Sequence, residues 1–203
     1  GFGSTVNIDG GAEISTEGIA VSAQSGVINI NVDAEGSANA ENNVSIRGNV
    51  GAVSGLTQQG ETFKDTVVNL GLNNSSSSLD GIVYTSAVEG FTSKVNMVLA
   101  NGATWTNEQI GSLPSSWTNA SSSVAKLTGG EAGKVGVIKQ LHQGDLQIDE
   151  YSGSTLVIYG HSNDGTEASN YSAGAVKINK AQEGATITLS TDNQGIEVND
   201  GSQ

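Results

Sequence analysis

Apolar residues recur at every second position in short runs along this chain, and each run stops at a cluster of Gly, Asn, Asp or Ser. Val6 and Ile8, then Val95, Met97 and Leu99, then Ile187 and Leu189 show the pattern. Period two sends alternate side chains to one face, so each run predicts a short, half-buried strand. The intervening Asp9-Gly10-Gly11, Asn101-Gly102, Gly129-Gly130 and Asp164-Gly165 steps are tight-turn chemistry, because Gly and Asn tolerate positive φ. Strands are predicted from residues 4–9 through 12–16, 19–23, 27–32, 43–47 and onward to 195–198. Isolated, such strand–turn–strand units would suggest hairpins.

Composition decides between hairpins and stacked coils. With 28 Gly among 203 residues and one Pro, the chain shares some texture with disordered low-complexity sequence, but regular alternation excludes that reading. A sandwich core needs large aromatic anchors, and aromatics make up only 4 % here. Short, even units of medium aliphatics suit stacking in ladders. The sequence therefore predicts an all-β fold, a right-handed parallel β-helix with three short strands per coil. No single coil can bury its apolar face, and stacking on neighbours completes the core. Coils of roughly 20 to 25 residues would give about eight or nine rungs and a rod on the order of 40 Å.

Residues 1–203 read as one solenoid fragment of a longer protein, with loop excursions near 48–64 and 106–122 that leave the solenoid wall. The second contains Pro114 and Trp117. Shorter excursions are expected at 73–78 and 161–172.

The net charge of −13, with eight basic residues spread singly, gives no footprint for phosphate backbones or anionic lipid. Nucleic acid and membrane contact by this segment are not expected, and charge repulsion favours a monomer in solution. The absence of cysteine excludes disulfides, thiolate nucleophiles and zinc–sulfur sites.

Residues 95–105, VNMVLANGATW, resemble the passenger region of type Va bacterial autotransporters, where an alternating strand leads through a Gly-Ala-Thr-Trp turn. The order continues in 123–130 (SVAKLTGG) and 145–159 (DLQIDEYSGSTLVIY), so the specific likeness spans about a third of the chain. The long 106–122 insertion departs from that pattern. The resemblance implies a Gram-negative cell-surface passenger, in a family whose members are often adhesins or aggregation factors.

Neither Gly-Asp-Ser-Gly nor Gly-x-Ser-x-Gly occurs, and His142 and His161 are the only imidazoles, so a serine-hydrolase centre is not expected. GGEAGKV at 129–135 fails as a phosphate loop, because Val135 stands where Ser or Thr would ligate magnesium. A polysaccharide-cleaving β-helix would need clustered carboxylates, and Asp and Glu are scattered here, with Arg47 the sole arginine. Calcium repeats of the Gly-Gly-x-Gly-x-Asp type are absent; Asp164 is the remaining calcium candidate. Thr104, Thr106, Thr186 and Thr188 are too few for an ice-binding rank. Trp105 is expected in the core or capping it, His142 in a solvated turn, and Trp117 is the candidate surface-contact residue, with packing against the solenoid wall as its competing reading.

The expected function is thus non-catalytic: a cell-surface adhesin segment without cofactor, meeting a host glycan, a host protein or a like molecule. The alternatives are a polysaccharide-degrading β-helix enzyme and a rigid spacer.

Overall fold

A computed structural model describes residues 3–54, 64–117, 121–160 and 173–191. The predicted strand at 195–198, the 161–172 excursion with His161 and Asp164, and the central part of the 48–64 excursion lie outside the described residues.

The chain is all-β. It alternates between two parallel sheets. One holds β1 (Thr5–Ile8), β3 (Val27–Ile30), β5 (Thr66–Leu72), β8 (Ser93–Leu99), β10 (Ser122–Gly129), β12 (Leu146–Ser152) and β14 (Val176–Ala181), in that order. The second holds β2 (Ala12–Gln24), β4 (Val44–Val53), β6 (Ser78–Asp80), β9 (Thr104–Asn107), β11 (Gly136–Gln140), β13 (Ser154–Tyr159) and β15 (Thr186–Thr191). Every named strand pair is parallel, and each strand pairs with strands one circuit away. This is the stacked-coil arrangement of a parallel β-helix.

The first sheet has seven strands, so there are seven described rungs rather than eight or nine, and a stack of roughly 30 Å. Coils are longer than expected because some carry excursions. Asn7 meets Asn29 over 22 residues, Asn29 meets Asn69 over 40, and Asn69 meets Asn96 over 27.

Of the three strands expected per coil, a third is seen among the described residues only in the early coils, where β7 (Val83–Ser86) pairs with the second half of β4, whose first half pairs with β6; from β8 to β15 each coil shows two strands. In the same way β2 spans two predicted strands, bending through register shifts between Ser15 and Val21 before its end pairs with Gly51–Val53. Gly48–Val53, read from sequence as the start of a loop, is therefore strand.

Pairing in register turns alternation into columns. Ile14, Ile46, Leu79, Trp105, Ile138, Val157 and Leu189 lie one above another on the inner side of the second sheet. Leu79, Trp105, Ile138 and Val157 are fully buried, and the indole of Trp105 donates to Gly81 O at 2.9 Å, so it belongs to the core. Ile8, Ile30, Leu70, Met97, Leu127 and Tyr151 form the facing column. Val6 at one end and Leu189 at the other remain 45 % and 42 % exposed, since among the described residues each has a neighbouring rung on one side only.

Buried amides hold the corners. Asn49 donates to Gly18 O and Ile110 O and accepts from the backbone N–H groups of Ile82 and Ile110, tying three segments together. The described part of the 106–122 excursion, up to Trp117, thus packs against the wall instead of leaving it. Its 3-10 turn, Ser115–Trp117, seats Trp117 against the outer side of β4. Gly51 makes room there: a Cβ would lie 2.3 Å from the indole.

Replacing Leu79 with Ala should cost about 2–5 kcal/mol, because a filled column is interrupted at mid-stack. Leu189→Ala, at the open end, should cost less than about 1 kcal/mol. Urea unfolding midpoints of the two variants test this; equal losses would contradict the column.

Candidate interaction face

The most regular chemistry lies outside the core, on the outer side of the first sheet. Asn7, Asn29, Asn69 and Asn96 occupy the same outward position of β1, β3, β5 and β8. Each amide nitrogen donates to the preceding side-chain oxygen: Asn29 to Asn7 at 2.7 Å, Asn69 to Asn29 at 2.7 Å and Asn96 to Asn69 at 2.8 Å. The column continues as Lys126, Glu150 and Lys180, with the signs alternating. Its seven members form an unbroken polar stripe on a rigid sheet. Partial exposure puts each amide bond near the lower end of about 0.5–1.5 kcal/mol, so their main effect is to fix the side chains in register.

A second feature overhangs this stripe. Residues 31–43, between β3 and β4, fold onto the outer face of β5 at Gly71, where a Cβ would lie 2.1 Å from Asn31 O and 2.7 Å from Ala38 Cβ. Asn31 occupies a left-handed backbone conformation (φ 53°) and donates to Asn39 O and Gly71 O. Asn73 donates to Ala38 O, Asn74 to Ala40 O and Asn42 O, and Asp33 accepts from the N–H groups of Glu35 and Ser37.

Carboxylates on the paired strands are never directly opposite one another in these registers. Asp80 faces Arg47 and Thr106, Glu150 faces Lys126 and Lys180, and Glu13 faces Ser45. Arg47 also reaches Glu17, with N–O distances of 3.3 and 3.4 Å. Among the described residues no group of three His, Cys, Asp or Glu side chains could hold a metal ion. No described helix is long and apolar enough to cross a membrane.

Trp117, expected to offer a contact surface because its neighbours in sequence are polar, is only 4 % exposed. Its ring stacks on Tyr84 at 4.6 Å, and the Tyr84 hydroxyl donates to Ser116 O. The stacking occupies an indole face that a partner would need. His142 is half-buried in the turn between β11 and β12. The 129–135 segment joins β10 to β11 through a turn in which Lys134 N donates to Glu131 O. Thr104 and Thr188 share an outward column with Ser45, Ser78, Val137 and Leu156, so threonine does not form a rank.

Sequence reasoning missed the asparagine column, although its signal was present. Val6-Asn7-Ile8, Ile28-Asn29-Ile30, Val68-Asn69-Leu70 and Val95-Asn96-Met97 are one triplet, repeated with the polar residue on the outward side.

Comparison with protein-family models, curated proteins and solved structures finds no match to the chain.

Titratable groups cluster where β12 meets β14. A hydrogen bond from Lys177, at 2.6 Å, lowers the Asp145 carboxyl below its ordinary 3.8, helped by the Ala175 N–H. Burial raises Tyr151 and Tyr159 above their ordinary 10.0. Tyr151 donates to Thr186 O at 2.6 Å, and Tyr159 accepts from Val176 N.

The two classes act in opposite directions. The Asp145 contribution is present above about pH 3.8 and is lost as pH falls through the lower folded value. The tyrosine contributions are present below pH 10.0 and are lost as pH rises through the higher folded values. Tyrosinate absorbance should therefore develop later in folded than in urea-unfolded chain, and Tyr151→Phe should flatten the alkaline fall in unfolding midpoint. Coincident folded and unfolded titrations would contradict the burial.

Proposed function

We propose that this chain is a non-catalytic adhesive segment of a bacterial cell-surface passenger, making multivalent contact along its outer face with a host glycan, a host protein or a like molecule. The observation that carries this reading is the continuous polar column from Asn7 to Lys180. A rigid sheet presents these groups at a spacing of about 4.8 Å, so a repetitive partner gains several weak contacts without further ordering cost. The likeness of residues 95–159 to autotransporter passengers supports a Gram-negative surface location.

The rival reading, an enzyme cleaving polysaccharide, calls for two carboxylates flanking one bond. The strand registers place Glu150 between Lys126 and Lys180, Asp80 beside Arg47 and Thr106, and Glu13 beside Ser45, with no two carboxylates directly opposite each other.

Cells displaying the chain should adhere or aggregate. Asn29→Ala together with Asn69→Ala should reduce that several-fold without altering display, and an unrelated solenoid of equal length should not restore it. Full adhesion by the unrelated solenoid would assign the segment a spacer role. New reducing ends or unsaturated products from a glycan panel would instead favour the enzyme.

A further inference from the structure

The overhang formed by residues 31–43 borders an open, two-lobed hollow on the outer face of β5, β8 and β10. The smaller lobe, about 130 Å³, lies between Val32 and Gly36 above and Asn69, Asn96, Val98 and Lys126 below. The larger, about 350 Å³, runs from Gly36–Ala38 across Val98 and Thr128 to Asn101, Glu131 and Lys134. Gly36, Val98 and Thr128 line both. The larger lobe falls within the range of small-ligand sites, about 300–1,000 Å³.

The hollow is built in advance of any ligand. Gly71 admits the overhang, and the amides of Asn31, Asn73 and Asn74 pin it by bonds of 2.7–3.0 Å to backbone carbonyls. Its charge is opposite to that of the molecule. The chain carries −13, whereas the lining holds two lysines and one carboxylate. That carboxylate, Glu131, lies 4.0 Å from Lys134, and Lys126 forms no ion pair among the described residues. Lys126 follows Asn96, where the asparagine ladder ends. The site therefore combines a cation, amides able to bond hydroxyls, and the small apolar surface of Val98.

We propose that this hollow binds a short saccharide bearing a carboxylate, with Lys126 taking the anionic group, Asn96 and Asn101 the hydroxyls, and Val98 packing against the ring's C–H face. The proposal rests on the adhesive reading above and localises it to one subsite.

The test is a titration of the purified chain with a uronic-acid disaccharide and with its neutral counterpart, followed by backbone NMR and calorimetry. The uronate should shift the amides of Val98 and Thr128 and bind about tenfold more tightly than the neutral sugar. Lys126→Ala should erase that difference. Thr128→Trp, which fills both lobes from an outward position, should abolish binding of both sugars. Lys126 is exposed, so K126A carries the test even if T128W does not fold.

Equal binding of the two sugars, no binding, unchanged selectivity in K126A, or binding that persists in folded T128W would overturn the proposal. Adhesion of displaying cells is measured in parallel. Adhesion without saccharide binding sinks the subsite and leaves the adhesive reading standing; saccharide binding at the hollow without adhesion does the reverse.

Discussion

Parallel, in-register pairing between successive coils is the constraint on which the rest of the structure depends. Because strands align residue for residue, whatever stands at one position is repeated about 4.8 Å away on the next rung. Aliphatic positions become continuous inner columns such as Ile46, Leu79, Trp105 and Ile138. Amide positions become a hydrogen-bonded ladder, since an Asn can donate to one neighbour and accept from the other. Charges are the exception that shows the same rule. Like charges at this spacing repel by about 1 kcal/mol even at the dielectric of water, and Lys126, Glu150 and Lys180 alternate in sign.

Residues that cannot be stacked are displaced into excursions, and those at 31–43 and 106–117 return to the wall. The two described best use the same device, a glycine in an outward strand position with buried or half-buried amides beside it. Gly51 receives Trp117 while Asn49 holds Ile110; Gly71 receives the 31–43 overhang while Asn31 and Asn73 pin it. The first fills the space over Gly51 with the buried Trp117 indole. The second leaves an open hollow beside the asparagine ladder, which is why the two differ in what they offer a ligand.

Much of the fold was legible because period two is a local property. The strands around Val6, Val95 and Ile187 needed no knowledge of their partners. Coil length was not legible, since repeats of 22, 40 and 27 residues hide a constant register behind variable connections. The seat of Trp117 was not legible for a related reason: the glycine and tyrosine that receive it come from other coils, and nothing near it in sequence announces them. The interaction face lay between these cases. Its four apolar-Asn-apolar triplets can be read in the sequence, yet their meeting in one column depends on register. The overhang and its hollow depend on Gly71 and Asn73 meeting residues more than thirty positions away, which no local pattern encodes.

Engineered disulfides test the in-register stack most directly, because the chain contains no cysteine of its own. Paired cysteines at Asn29 and Asn69, or at Asn69 and Asn96, would face each other on adjacent rungs, within the roughly 4.4–6.8 Å between Cα atoms that a disulfide spans. A pair at Asn29 and Asn96, two rungs apart, would be near 10 Å and out of reach. Parallel stacking predicts rapid, nearly complete oxidation of the first two pairs in folded protein and none of the third. Failure of both adjacent pairs to close, or ready closure of the 29–96 pair, would contradict it.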